Sequence, residues 1–352
     1  MRHRMIARVA LAVSFVIAAL PLGTAARADA PAPSPVTLEL IAAAQSEGKV
    51  VYYTALDLQV SAKLGKAFEA RYPGLSVQVE RGGAERVYQR VDQEYSSGIH
   101  AVDAIDSTDV SHFVDWKRRG MLGAYVPADV ARWPADQRDG DGYYATHRAL
   151  LLVVAYNTRL VAADQAPRSY ADLLDAKWRG KIVKAHPSYA GTILTATFEL
   201  SRELGWSYFE KLGQQRVMQV QSSTEPPKKL ALGERPVMFD GNEYVTLLQI
   251  RSGAPIKIVY PVEGTPFAIG SAGLMKDAPH PNAARLFVSF LFSREGQQFL
   301  VDEGELRSFH PDVTEPAGRV PLAAIKRLTA DPAELEKAAD EVKRRYAEYF
   351  GT

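Results

Sequence analysis

Six polar clusters stand where an apolar run gives way to a helical pattern: Tyr53-Thr54, Arg81-Gly82-Gly83, Ser107-Thr108, His186 to Thr192 (HPSYAGT), Ser222-Ser223-Thr224 and Asp240 to Tyr244. They offer hydroxyls, one guanidinium, glycines that admit close backbone approach, and the free N–H groups of helix starts. Together such groups hold a small anionic or polar molecule. The candidate contacts are Tyr53, Thr54, Arg81, Ser107, Thr108, Tyr189, Gly191, Thr192, Ser223, Asn242 and Tyr244. Tyr244 is the leading single residue, and the 186–192 turn the leading anion cradle, with Tyr189 as a wall. Each has a plainer reading beside it: Ser107 and Thr192 as helix caps, Tyr53 and Tyr244 as packed rings, Gly82-Gly83 as an ordinary turn.

Covalent chemistry finds little support. The chain has no cysteine, which removes disulfides, thiolate nucleophiles and zinc–thiolate or iron–sulfur sites. There is no G-x-S-x-G, H-E-x-x-H, Walker A or G-x-G-x-x-G motif, and the seven histidines are scattered. Tyr52 and Tyr53 are adjacent, but on a strand they face opposite ways and cannot chelate one ion together. No catalytic residue, cofactor or metal is expected.

The 352 residues suffice for about two domains. Lys plus Arg is 42 and Asp plus Glu is 41, a balance that argues against a nucleic-acid binder. Residues 1–28 carry a basic start, the apolar run VALAVSFVIAALPLG and Ala26-Arg27-Ala28. That is the order of a secretory signal peptide, with cleavage expected after Ala28; the run is too short to span a membrane. With no lipid-attachment cysteine behind it, a periplasmic protein free of a lipid anchor is expected.

The elements that must position the clusters follow from periodicity. KVVYYTA (49–55), LSVQVER (75–81) and AVDAIDS (101–107) read as strands, separated by helices over 60–74 and 82–98 and followed by a helix over 110–120. Such alternation implies parallel strands with right-handed crossovers. A long apolar strand over 149–156 is placed between two domains. A second α/β set follows, with SYADLLD (169–175), strands over 180–187, 216–223 and 235–241, and helices over 191–204, 206–213, 226–232 and 242–251. Strands over 256–261 and 266–275, a helix pair over 281–304 and a tail helix over 332–350 complete it. No linker separates the sets, so the chain is expected to cross between two lobes more than once and leave a cleft.

KVVYYTA, KLGKAFEARYPGLSVQVER and AVDAIDS, then LLDAKWRGKIVKAHP, then PNAARLFVSFLFSREGQQFL occur in the order found in type II periplasmic solute-binding proteins. The chain resembles that family over its whole mature length, and within it the ferric-ion-binding branch. The resemblance implies an α/β fold of two lobes, each a mixed, mainly parallel sheet flanked by helices, joined by hinge strands. It places lobe 1 at 29–140 and 266–305, lobe 2 at 141–265, and a C-terminal helical segment, packed on the lobes, at 306–352. It implies capture of a small solute by hinge closure and delivery to an inner-membrane permease driven by ATP, by a monomer that is not an enzyme. In the ferric branch two adjacent tyrosines, often with a histidine and an acid, hold the metal. Here those positions fall on Tyr244 and Val245, near Asp57 and near Thr108, so only Tyr244 matches. An organic acid, phosphonate or sugar phosphate is therefore the expected ligand, with iron second and an enzyme on the same fold third.

Overall fold

A computed structural model describes residues 30–352. The signal-peptide reading of residues 1–28 lies outside the described residues. The chain runs α1 (Leu38–Glu47), β1 (Lys49–Thr54), α2 (Leu58–Arg71), β2 (Ser76–Arg81), α3 (Ala84–Ser96), β3 (Ala104–Ser107), α4 (Val110–Arg118), β4 (Leu122–Gly123) and β5 (Tyr144–Asn157). It continues β6 (Ile182–Ala185), α5 (Gly191–Leu204), α6 (Trp206–Gly213), β7 (Met218–Val220), α7 (Glu225–Ala231), β8 (Val237–Asn242), α8 (Glu243–Arg251) and β9 (Ile256–Val259). The last elements are β10 (Thr265–Met275), α9 (Pro281–Phe292), α10 (Arg294–Asp302), β11 (Arg327–Leu328) and α11 (Pro332–Phe350).

The boundaries have local causes. Thr37 caps α1 by accepting from the Leu40 N–H, and Gly48 ends it in the left-handed conformation. Asp57 caps α2 through the Gln59 N–H, and Pro73-Gly74 follow its end. The segment 169–175 forms only a short 3-10 turn at Ala171–Leu174; Asp175 ends it and caps a second turn at Ala176–Trp178. In the C-terminal segment 306–352, residues 306–331 are largely irregular, interrupted by Pro311, Pro316, Gly318 and Pro321, and α11 alone is a full helix.

The strands form one curled sheet in the order β2-β1-β3-β10-β5-β8-β6-β7. β1 is parallel to β2 and β3, and β6 is parallel to β7 and β8. Between these blocks the pairing turns antiparallel, at β3–β10, β10–β5 and β5–β8. β5 is the shared spine: Tyr144 to Leu151 pair with β10, and Leu152 to Tyr156 with β8. A strand buried on both faces from Ala145 to Asn157 explains the unbroken apolar run LLLVVA.

Each block buries its own aromatic cluster. Phe68, Phe287 and Phe290 meet near Tyr52, with centroid distances of 4.9 to 5.6 Å. Tyr170, Trp178, Phe209 and Phe239 fill the other side. Each fully buried ring contributes roughly 1.5–3 kcal/mol of hydrophobic stabilisation. No helix among the described residues is long and apolar enough to cross a membrane.

Candidate functional site

The C-terminal ends of β1, β2 and β3 face those of β6, β7 and β8, where α/β folds place their ligands. Between them lies a crevice lined by Ala55, Arg81, Gly83, Ala84, Thr108, Arg148, Leu150, Ala190, Ser222, Ser223, Asn242 and Tyr244. Its free volume of about 10 Å³ is roughly room for one water molecule. Larger hollows lie elsewhere, among them one of about 390 Å³ beside Ala30 to Pro33, and one of about 590 Å³ whose cations Lys63, Lys228 and Arg251 share the wall with the Asp57 carboxylate.

Three helix starts converge on the crevice. Gly83, Ala190 and Asn242 are the N-caps of α3, α5 and α8, and none caps its helix with a side chain. The orphan N–H groups and the positive ends of the helix dipoles are thus left for a ligand. Two guanidiniums reinforce them. Arg81 Nη2 donates to Ser222 Oγ at 2.9 Å, and Arg81 Nε has no partner. Arg148 is 1% exposed and donates from Nη2 to Asp106 Oδ1 at 2.9 Å. No carboxylate lines the crevice.

Asp106 holds Arg148 from below. It also accepts from the Tyr52 hydroxyl, from Thr54 Oγ1 at 2.5 Å and from the Ala55 N–H at 3.1 Å. Burial alone would raise its pKa, but Arg148, His147 and these donors outweigh it and hold the carboxyl at about 2. The Tyr244 hydroxyl accepts from the Asp57 N–H at 3.2 Å. Burial first, then the neighbouring Asp57, raises its pKa, so the phenol is neutral.

Of the sequence candidates, Arg81, Thr108, Ser223, Asn242 and Tyr244 share this lining. The others lie apart from it. Tyr53 donates to Glu94 at 2.9 Å, with the Arg90 guanidinium over its ring. Thr54 is occupied with Asp106, and Ser107 with His112 and the Asp109 N–H. Tyr189 is 39% exposed at the rim, Gly191 packs against Thr108 and Asp109, and the buried Thr192 hydroxyl has no partner. Sequence reasoning missed Arg148. Its signal was present: with His147 it interrupts an otherwise apolar strand, and a cation inside such a strand needs either a counter-ion or a task.

A family model described as bacterial extracellular solute-binding protein matches residues 102–324. An uncharacterised Haemophilus influenzae protein is 24% identical over 279 residues, 76% of this chain and 80% of its own. A Salmonella typhimurium periplasmic protein named for 2-aminoethylphosphonate binding is 27% identical over 174 residues, 45% of this chain and 49% of that one. The match thus spans about half of that relative. Among solved structures, the periplasmic binding protein AfuA of Actinobacillus pleuropneumoniae, with fructose-6-phosphate bound, superposes with a TM-score of 0.78 at 21% identity. It covers 86% of this chain and 99% of that one. Iron-bound HitA of Pseudomonas aeruginosa gives 0.71 at 19% identity, with the same coverage. The fold is that of the type II periplasmic binding proteins, and the chain belongs to the bacterial extracellular solute-binding proteins.

Proposed function

We propose that this protein captures a small solute bearing a phosphoryl or phosphonyl group in the crevice between its halves. It then hands the solute unchanged to an inner-membrane permease of an ATP-driven importer. The observation that carries this reading is the convergence of three uncapped helix starts and two guanidiniums on a crevice without a carboxylate. A tetrahedral oxyanion presents several acceptor oxygens and negative charge, which such donors complement from several directions at once. The names of the Salmonella and Actinobacillus proteins agree with that chemistry.

In this reading β5 and β10 are the hinge, and residues 29–140 with 266–305 and residues 141–265 are the lobes. Residues 306–352 pack on both, with α11 the helical part. Solute contacts from both lobes stabilise the closed form, so binding shifts the population toward it. The working protein is a periplasmic monomer without a lipid anchor, without a cofactor and with no role at nucleic acid. Iron is the weaker reading. Ferric ion wants several anionic oxygen donors, whereas the lining offers one phenol that burial keeps protonated.

The test is calorimetry and thermal unfolding of the protein purified without residues 1–28. The panel is 2-aminoethylphosphonate, sugar phosphates, inorganic phosphate, simple carboxylates and ferric citrate. Stabilisation of about 2.7 kcal/mol is expected at a hundredfold excess over Kd for a phosphoryl or phosphonyl compound. Response to carboxylates alone, or a strong visible phenolate–iron band with ferric citrate, would overturn the ligand class.

A further inference from the structure

Most contacts between the halves across the crevice are made by adjustable side chains. Arg81 meets Ser222 at 2.9 Å, Arg86 meets Gln221 at 2.5 Å, and Lys228 meets Asp57 at 2.9 Å. Lys343 of α11 lies 3.6 Å from Glu85 of α3. Long side chains of this kind absorb an ångström of slack by changing rotamer.

Two contacts have no such slack. A Cβ placed on Gly83 would lie 2.5 Å from the carbonyl oxygen of Tyr189, in the opposite half. A Cβ on Gly191 would lie 2.9 Å from Asp109 Cβ, 3.0 Å from the Thr108 carbonyl oxygen and 3.1 Å from the Asp109 nitrogen, again across the crevice. The obstructing atoms are backbone or Cβ, which no rotamer change can move.

Local structure gives no reason for glycine at either place. Gly83 has φ −66° and ψ 155°, a conformation open to any residue, and as an N-cap it is no better than Ser, Asp or Asn. Gly191 opens α5 without a positive φ, where alanine serves a helix better. The demand comes from the other half of the molecule.

We infer that Gly83 and Gly191 are the closure stops of this protein, positioning residues that set how far its halves approach. The inference rests on the hinge-closure reading above. A methyl group at either position would hold the halves apart by roughly 1 Å, judged from ordinary van der Waals separation. The Arg81–Ser222 pair can follow such a shift by changing rotamer, but the backbone N–H groups of the helix starts cannot. A shift of that size exceeds the ~0.5 Å tolerance within which a binding constellation works. Neither glycine needs to touch the solute for this to happen.

Because the chain has no cysteine, a Leu58→Cys, Leu232→Cys pair carries the only two spin labels. Leu58 is 55% exposed and Leu232 is 75% exposed, one on each half beside the crevice mouth. Pulsed electron paramagnetic resonance then reads the separation of the halves, with and without inorganic phosphate. The parent is expected to populate the short distance. Gly191→Ala and Gly83→Ala are each expected to reduce that population at least tenfold while the thermal midpoint without phosphate stays put. Wherever phosphate binds the parent, its apparent Kd rises by the same factor, since affinity scales with the competent fraction. Variants that match the parent's distances, or a parent that never shows the short one, would overturn the inference. The distance is read without solute as well, so failure of phosphate to bind would count against the proposed ligand class alone.

Discussion

Among the buried ion pairs of the described residues, two stand on facing strands, Asp106–Arg148 in one half of the sheet and Asp240–Lys184 in the other, and they are built differently. On the β3 side, Asp106 meets Arg148 and receives three further donors, from Tyr52, Thr54 and Ala55. On the β8 side, Asp240 meets Lys184 Nζ at 2.6 Å and receives one more bond, from the Ala185 N–H at 3.0 Å. All four side chains are essentially unexposed. The outcomes diverge with donor number. Asp106 is held at about 2, whereas burial dominates at Asp240 and raises its pKa, as it lowers that of Lys184. Arg148 also faces the crevice, while Lys184 lies under the Tyr346 ring of α11 at 4.9 Å. A carboxylate with many donors keeps a permanent charge beside a ligand. A carboxylate with few can give its charge up, which suits a buried support for a packed helix.

The largest expected effect separates the pairs directly. Asp106→Asn leaves Arg148 buried and uncompensated, and arginine cannot shed its proton, so about 3–5 kcal/mol of stability should be lost in urea unfolding. Asp240→Asn leaves a lysine that can deprotonate, and its cost should be clearly lower, about 1–3 kcal/mol. Equal losses would remove the distinction. The pH profile has a matching sign. A carboxyl depressed to about 2 contributes stability that is present above ~4 and lost as pH falls toward 2. Asp106→Asn should flatten acid unfolding in that window.

The next effect concerns the crevice rather than the core. Arg81 bonds a hydroxyl across the crevice, so Arg81→Ala should leave urea unfolding within about 0.5 kcal/mol of the parent. It should weaken phosphonate or phosphate binding by about 1.5–3 kcal/mol, roughly 10- to 100-fold in Kd, by calorimetry. An unchanged Kd would assign the anion to Arg148 and the helix starts alone.

That the sequence places Arg81 and Tyr244 at the crevice lining, but not Arg148, has a physical explanation. Strand ends followed by helix starts can be read from local periodicity, and ligands gather there in α/β folds. The positions of Arg81, Thr108, Ser223, Asn242 and Tyr244 follow from this rule. Arg148 lies inside β5, near the point where that strand passes from one half to the other, and its partner Asp106 is 42 residues away. No local pattern encodes such a pairing. The same limit explains Tyr53 and Thr54: strand alternation fixes which faces they take, but only the fold shows that Glu94 and Asp106 wait there. Gly191 belongs to a helix start whose free N–H groups suit an anion, which the sequence shows; that the Thr108–Asp109 backbone also packs against it is set by the fold alone.

A smaller effect tests the α11 side. His186 meets the Tyr346 ring edge to face, with centroids 4.8 Å apart, and bonds Thr352 Oγ1 through Nε2 at 2.9 Å. Burial first, then Lys184, lowers its pKa to about 4. The folded protein thus prefers neutral imidazole. Stability from this group is complete above about 6.5 and is lost as pH falls toward 4. The loss should be on the order of 1 kcal/mol, reduced by partial solvation. His186→Gln should remove the slope in thermal midpoint between those values, leaving the slope below pH 4 in place.

The smallest effect sharpens the division between ligand anchor and support at Tyr244. Its ring is 3% exposed and packs within the core, while its hydroxyl accepts only the Asp57 N–H, at 3.2 Å. Tyr244→Phe keeps the ring and deletes that acceptor, so stability should fall by about 0.5–1.5 kcal/mol. If the hydroxyl also serves the solute, Kd should rise by a similar free energy, roughly three- to tenfold. Comparing the variant's calorimetry with its urea unfolding divides the two roles. A stability loss with an unchanged Kd would make Tyr244 a tie across the crevice to Asp57. Anion capture would then rest on the arginines and the three helix starts.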